Sequence, residues 1–169
     1  MKLTVRKMAI LALMSAMSIL LKLTFSIYIT PDLKIVFHNI PIIIVSILFN
    51  PLYGGLVALI TDLVSIISTP YWSPIFTLPQ LFWGITPGLF FLFKKKVNPL
   101  KLILAEYSAY LSVSALNFLA FWITYDLSYS IARLPNTLLV LSIKAPVDII
   151  IIYLLFRNFF NKRENLIEK

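Results

Sequence analysis

Cysteine is absent from this chain of 169 residues, and His38 is its single histidine. A chain without cysteine has no disulfide, no thiolate nucleophile and no cysteine-bound zinc or iron–sulfur cluster. One histidine leaves little for a histidine-based metal site or a catalytic triad. Charged residues are also scarce, at 13% of the chain, where soluble domains average about a quarter. These absences exclude an ordinary soluble enzyme, and we expect neither a metal nor a cofactor.

Apolar residues, by contrast, make up 60% of the chain, and the mean hydropathy is +0.91. Such a composition is typical of an integral membrane protein. The net charge of +8 comes from short basic segments before the first apolar run, at 94–101 and after the last run. This is the positive-inside pattern, and no solvated basic surface is left to bind nucleic acid. The sequence therefore predicts a multi-pass protein of the cell membrane without a nucleic-acid partner.

The apolar runs predict six membrane-spanning helices, at 8–29, 36–49, 52–68, 75–93, 99–122 and 135–157. The stretch 35–69 is divided because one helix of that length would measure about 50 Å, against a hydrocarbon core of about 30 Å. Asn50-Pro51 supplies the turn. An even number of spans places both termini on one side, and the basic segments assign that side to the cytoplasm. The predicted fold is one all-α domain over 1–169, a six-helix transmembrane bundle.

The predicted outer segments, 30–35, 69–75 and 123–134, lie among aromatic residues. These are Tyr28, Tyr71, Trp72, Trp122, Tyr125 and Tyr129. They fit an aromatic belt at the membrane interface. They equally fit a set of lids over a planar ligand.

Asp62 lies on a small-residue face of the third predicted helix, together with Gly54 and Ala58. A carboxylate at membrane depth must be paired, solvated or protonated. Asp62 is therefore either a structural hydrogen-bonding hub or a ligand contact. Lys22 either extends outward to the interface or faces the same cavity.

The fifth predicted helix carries a polar and aromatic seam with spacings of 3, 4, 3 and 4. Its members are Tyr107, Tyr110, Ser114, Asn117 and Phe121. A seam of this kind either packs helices together or lines a pocket that binds a ring. Glu106, one turn from the predicted inner end, is expected to reach the interface.

The sixth predicted helix carries Lys144 and Asp148, four residues apart, which we expect to form an internal ion pair. Arg133 precedes Pro135 at the outer end. A guanidinium beside the free N–H groups of a helix start makes an anion site. His38 is expected to be a hydrogen-bonded residue at a helix end rather than a metal ligand.

Ala12 and Ala16 form a small-xxx-small pair on the first helix, a surface for close packing inside the bundle or against a partner.

Catalytic signatures are missing: the sequence has no Walker A loop, HExxH or GxSxG, and no aspartate pair suited to an intramembrane protease. Any ATP that drives this protein is hydrolysed by another chain. The residues favour a binding or transport subunit over an enzyme.

Short motifs follow one another in a fixed order along nearly the whole chain. They are Pro31-Asp32-Leu33-Lys34-Ile35, Phe37-His38-Asn39-Ile40-Pro41, Leu48-Phe49-Asn50-Pro51-Leu52-Tyr53-Gly54-Gly55, Thr61-Asp62-Leu63, Pro74-Ile75-Phe76-Thr77-Leu78, Gly84-Ile85-Thr86-Pro87-Gly88-Leu89-Phe90 and Arg133-Leu134-Pro135. This order resembles the substrate-binding S components of energy-coupling factor transporters, closest to the folate branch. The resemblance implies a six-helix subunit that binds a vitamin near its outer face. It also implies two kinds of partner, a transmembrane coupling subunit and two cytoplasmic ATPases.

Residue by residue, Ala12 and Ala16 look like the family's AxxxA motif, which contacts the coupling subunit. Asp62 looks like the aspartate of the family's third helix, and Arg133 like the arginine that opens helix six. Two departures stand out: Asn50 replaces an expected glycine, and Gln80-Leu81-Phe82-Trp83 is bulkier than the usual small-residue stretch and is a candidate pocket lining.

Folate suits these residues, because its planar pterin can stack on aromatic rings and bond at its edge to Asn117 or Asp62. Its anionic glutamate tail suits Arg133, the start of helix six and Lys22. The candidate substrate-binding residues are Lys22, Asp62, Tyr71, Trp72, Gln80, Tyr110, Asn117, Trp122 and Arg133. The alternatives are an S component for a queuosine precursor, pantothenate or another vitamin, a stand-alone membrane channel and, third, a membrane enzyme.

Overall fold

The computed structural model describes residues 4–30, 33–68, 73–93 and 97–160. Within them the elements are α1 (Val5–Leu23), β1 (Ser26–Thr30), β2 (Leu33–Val36), α2 (Asn39–Leu48), α3 (Pro51–Ser65), α4 (Thr77–Phe91), α5 (Pro99–Thr124), α6 (Leu127–Ala132) and α7 (Leu134–Leu155). Short 3-10 turns at Ile66–Ser68 and Pro74–Phe76 flank the gap between α3 and α4, and a π-helical turn at Phe156–Phe160 extends α7. The six predicted helices are present as α1 to α5 and α7.

A β-hairpin stands where the sequence predicted the end of the first helix. Helix α1 ends at Leu23, where Thr24 donates its side-chain hydroxyl to the carbonyl of Leu20. The next residues, Ser26–Thr30, pair antiparallel with Leu33–Val36. The prediction of helix to residue 29 is therefore wrong. The fold is mostly helical, as predicted, and contains this two-stranded hairpin in addition to its helices. The physical reason is local, because alternating isoleucine, tyrosine and threonine favour an extended strand.

The turn between α2 and α3 is the one that Asn50-Pro51 predicts. Asn50 is extended, with φ −174° and ψ 172°, and its side chain accepts a hydrogen bond from the backbone N–H of Tyr53 at 3.0 Å. Pro51 occupies the first helical turn, where its missing N–H costs nothing. Asparagine is a stronger N-cap than glycine, which accounts for Asn50 at this position.

Helix α2 is the centre of the fold, since every residue from Asn39 to Ile47 is buried. Helices α3 and α4 cross closely beside it through glycines. A Cβ added at Gly84 would overlap the backbone of Gly54. Ser46 of α2 donates its hydroxyl to the carbonyl of Gly84 and ties the three helices together.

Two helices in the described part of the chain are long and apolar enough to cross a membrane. They are Pro99–Thr124, with 26 residues, and the continuous stretch Leu127–Asn158, with 32. Helices α2 and α3 are apolar but shorter. The outward faces of the long helices carry large exposed apolar side chains such as Leu111, Ile123 and Leu138, as lipid contact requires.

Candidate functional site

Four polar side chains from α2, α5 and α7 form a connected group inside the bundle, which we call the floor cluster: Asn39, Tyr110, Lys144 and Asp148. Lys144 Nζ donates to Asn39 Oδ1 at 2.6 Å, to Asp148 Oδ2 at 2.8 Å and to Tyr110 OH at 2.9 Å. Asn39 Nδ2 and Tyr110 OH donate in turn to Asp148 Oδ2, at 2.6 and 2.7 Å. The predicted ion pair of Lys144 and Asp148 is confirmed, and all four side chains are buried.

Aromatic rings surround the ammonium group of the floor cluster. Trp83 of α4 meets Tyr110 edge-on, with ring centroids 4.6 Å apart. Lys144 Nζ lies 5.3 Å from the centroid of Trp83 and 5.9 Å from that of Phe37, within the range of cation–π attraction. The floor cluster therefore combines hydrogen-bonding groups with flat aromatic faces, the combination that binds a planar polar ring.

A second polar level lies further out along the same helices. His38, at the N-cap of α2, places Nε2 3.2 Å from Oε1 of Gln80, and its backbone carbonyl accepts a bond from Ser18. This confirms His38 as a hydrogen-bonded helix-end residue. Gln80 is one turn from Trp83 toward the start of α4, and Asn117 is two turns, about 10 Å, from Tyr110 toward the end of α5.

The outer level is an aromatic group around an arginine, which we call the rim cluster: Phe76, Phe121, Tyr125, Tyr129 and Arg133. Phe121 lies at its centre, with its ring centroid 5.0 Å from that of Phe76 and 5.7 Å from that of Tyr129. Arg133 Cζ lies 5.0 Å from the Phe121 centroid, and Arg133 Nε donates to Tyr129 OH at 3.1 Å. Two of the predicted outer aromatics, Tyr125 and Tyr129, thus pack against each other beside Arg133; both are exposed, so the belt and the lids stay open as interpretations.

Arg133 is half-buried and forms the N-cap of α7. In the described ranges its side chain makes one hydrogen bond, through Nε. The two terminal NH₂ groups of the guanidinium are then available for a carboxylate, which they bind in a bidentate manner.

Lys22 of α1 and Asp62 of α3 meet beside the start of α4. Lys22 Nζ lies 2.7 Å from Asp62 Oδ1, and Thr77 Oγ1 donates to Asp62 Oδ2 at 2.7 Å. Both carboxylate oxygens therefore have partners, from α1 and from the start of α4. Of the two interpretations open for Asp62, this geometry favours the structural hub, and it places Lys22 at the hub rather than extended outward.

The remaining predicted site residues fall in different places. Gln80 and Tyr110 lie at the levels just described, whereas Trp122 is 49% exposed. Tyr71 and Trp72 lie outside the described residues. Trp83 was predicted only as part of a candidate pocket-lining stretch, and Asn39 was not predicted as a site residue. Asn39 opens an otherwise apolar helix, and that isolated polar position was the available signal.

Glu106 corrects a prediction. It was expected near the inner interface, but its side chain is fully buried in the bundle. Its depth follows from packing, because both α4 and α7 pack against α5. The sequence alone does not show which face of a helix other helices will cover, even for a residue two turns from its start.

Ala12 and Ala16 are exposed on α1 and line an open apolar groove of about 460 Å³, together with Met8 and Ile60. Because both alanines are exposed, internal packing does not explain this small-residue pair. The groove is an open surface that a second helix could approach closely.

The model of one protein family, the substrate-specific components of ECF transporters, matches residues 6–162. The chain belongs to this family. No curated protein matches the chain.

Two solved structures are similar to this S component over almost its entire length. A crystal structure of FolT bound with folic acid has 25% sequence identity and a TM-score of 0.75, and the match covers 93% of this chain and 96% of that one. The S component of a bacterial ECF transporter has 21% identity and a TM-score of 0.70, over 94% and 98%. The second match concerns the fold alone. The six-helix architecture and the membrane setting of this S component are those of its family, which consists of transport components rather than enzymes.

Proposed function

We propose that this S component captures folate at the outer face of the cell membrane and delivers it with a coupling subunit and two ATPases. The proposal rests on the order of three groups of side chains. Arg133 and the rim cluster lie at one end, Gln80 and Asn117 lie in between, and the polar and aromatic side chains of the floor cluster lie at the other end. The likeness to FolT bound with folic acid supports the same ligand.

The distance between the two clusters suits an elongated ligand. Arg133 and Lys144 are eleven residues apart on one helical stretch, which is about 16 Å at 1.5 Å per residue. A ligand with a flat ring at one end and carboxylates at the other spans such a cleft. Folate has this shape, with its pterin toward the floor cluster and its glutamate toward Arg133.

The ring end would meet Trp83, Phe37 and Tyr110 and the polar edge of the floor cluster. Gln80 and Asn117 stand one level above, where they can bond to the ring edge or to the amide linker. Lys22 and Asp62 hold α1, α3 and α4 together at the side of this cleft, and Trp122, Tyr71 and Trp72 stay proposed contacts from the outer segments.

The coupling subunit would bind at the groove of Ala12 and Ala16. This surface lies at the inner half of α1, away from the rim cluster, if both termini are cytoplasmic as the basic segments indicate. The whole chain, 1–169, then acts as one transmembrane domain that crosses the membrane six times.

A different vitamin is the second candidate, because Gln80-Leu81-Phe82-Trp83 is bulkier than the stretch expected in the folate branch. A fluorescence titration of the purified protein with folate, pantothenate and a queuosine precursor separates the candidates. Trp83 is buried at the floor cluster, so a bound pterin should quench its emission.

Two matched variants locate the quenching. Trp83→Phe should remove most of the folate-dependent signal, whereas Trp122→Phe, which alters a half-exposed proposed contact far from the pterin end, should remove less of it. Quenching by another ligand and none by folate would reject folate as the substrate.

A further inference from the structure

Glu106 is fully buried, and neither of its carboxylate oxygens has a hydrogen-bond partner in the parts of the chain that the structure describes. Oδ1 of Asp148 also has no hydrogen-bond partner there, because Asn39, Tyr110 and Lys144 all donate to the other oxygen, Oδ2. Three buried carboxylate oxygens without donors are unusual, because an uncompensated charge inside a protein is strongly destabilising. Something must neutralise this position.

The two carboxylates belong to one location beneath the floor cluster. Glu106 precedes Tyr110 by one helical turn on α5, so both lie on the same face. Helices α5 and α7 run antiparallel, since Phe121 meets Arg133 at the rim and Tyr110 meets Lys144 at the floor. Glu106 is one turn before Tyr110 on α5, and Asp148 is one turn after Lys144 on α7. Because the helices are antiparallel, Glu106 and Asp148 lie at the same level. Glu106 is close enough to Asp148 and Lys144 for both to act on it electrostatically.

The charges at this location do not balance. Lys144 contributes one positive charge, while Asp148 and Glu106 together contribute two negative charges. Helices α4 and α6, which also pack against α5, contain no charged residue. Tyr110 is the titratable neighbour on the same helix, and its hydroxyl already donates to Asp148. One negative charge is therefore left over.

We propose that Glu106 and Asp148 form a buried site for one monovalent cation, filled by a proton or by Na⁺. A proton would reside on the Glu106 carboxyl group and turn an unpartnered acceptor into a donor. Na⁺ would instead be held by the three unpartnered oxygens, which are the hard ligands it prefers. The site lies inward of the proposed folate cleft and does not depend on which vitamin the cleft binds.

Infrared spectroscopy of the purified protein at neutral pH tests the site and distinguishes its two sources. In choline chloride there is no Na⁺, so the proton-filled and the Na⁺-filled site both predict a protonated buried carboxyl and its C=O stretching band. In NaCl the band persists if the cation is a proton and disappears if Na⁺ replaces it. Glu106→Gln, a neutral isostere, should abolish the band in both salts. Asp126→Asn, at an exposed helix N-cap, is the matched control and should leave it unchanged.

Asp148→Asn gives the sharper test, because it leaves Glu106 in place. With Asp148 neutral, Glu106 and Lys144 balance each other, so the cation is no longer needed and the band should be lost. Comparison of this variant with the wild type keeps the test valid even if Glu106→Gln fails to fold. A wild type with no such band in either salt would overturn the proposal, and so would a band that survives Asp148→Asn.

Discussion

Lys144 uses all three of its ammonium N–H groups inside the bundle, on three different side chains. Asp148 receives three donors on a single oxygen. Removal of Lys144 alone leaves buried Asp148 without its cation, and the cost of such a change is set by desolvation rather than by the lost bond. The floor cluster is therefore a constraint on the fold, and in the proposed function it is also the base of the ligand site.

Lys144→Met should destabilise the protein by about 3–5 kcal/mol, because it leaves the buried Asp148 charge without its cation. The double variant Lys144→Met/Asp148→Asn should recover most of that loss. Thermal unfolding of the two variants and the wild type measures the difference. If the double variant is no more stable than Lys144→Met, the two residues do not act as an ion pair.

Arg133→Ala should weaken folate binding by about 10- to 150-fold, since a charged hydrogen bond contributes about 1.5–3 kcal/mol. Arg133→Lys keeps the charge but not the bidentate fork, so its loss should be smaller. Equilibrium binding to the purified variants gives both values.

A pterin fragment without carboxylates is the control ligand for Arg133. It should bind weakly to the wild type and lose little more in Arg133→Ala. Tyr129→Phe removes the hydroxyl that Arg133 Nε contacts and should reduce folate affinity less than Arg133→Ala does. Equal losses for the fragment and for folate would mean that Arg133 holds the rim cluster rather than the carboxylate.

The helices show how far the sequence predicts the elements. Apolar runs, helix-starting prolines and the turn at Asn50-Pro51 were enough to place all six helices, with their ends within a few residues except at the end of the first helix. The hairpin was missed because its alternation lies inside an apolar run that also satisfies a helix. The floor cluster was half predicted: the spacing of Lys144 and Asp148 indicates a pair on one helix, whereas the contributions of Asn39 and Trp83 depend on how different helices pack.

Glycines on both helices allow α3 and α4 to cross closely. An added methyl group should be tolerated better at Gly55 of α3 than at Gly84 of α4. Gly84→Ala should strongly destabilise the fold, because the new Cβ would overlap the backbone of Gly54 and Gly55. Gly55→Ala should be milder, since its Cβ would lie 3.3 Å from the Ile85 side chain, which can shift. The melting temperatures in detergent compare them. Equal effects would show that helix propensity, not the crossing, determines the outcome.

At the scale of the whole molecule, the proposed ligand site and the proposed partner-binding groove lie on different parts of the protein. The rim and floor clusters, between which we propose that the ligand binds, draw their residues from α2, α5, α6, α7 and the adjoining turns, whereas the groove of Ala12 and Ala16 is lined by residues of α1 and α3. This separation allows ligand binding and partner binding to be disrupted independently.

Ala12→Trp and Ala16→Trp should each abolish vitamin uptake by the assembled transporter and leave folate affinity unchanged. A bulky ring in the groove prevents close helix approach, and the cleft is remote from it. Ala9→Trp, on the same helix but outside the groove lining, serves as the control. Loss of folate binding in the Ala12 and Ala16 variants would contradict the separation of the two surfaces.

The central claim is that this chain, alone, is the vitamin-binding unit of an importer. Isothermal titration of the purified chain with folate, without ATP and without any other subunit, tests it most directly. The account predicts saturable binding of one folate per chain, weakened in Arg133→Ala. Binding that appears only when ATP and the other subunits are added would contradict it, whereas binding of another vitamin in place of folate would reject folate alone.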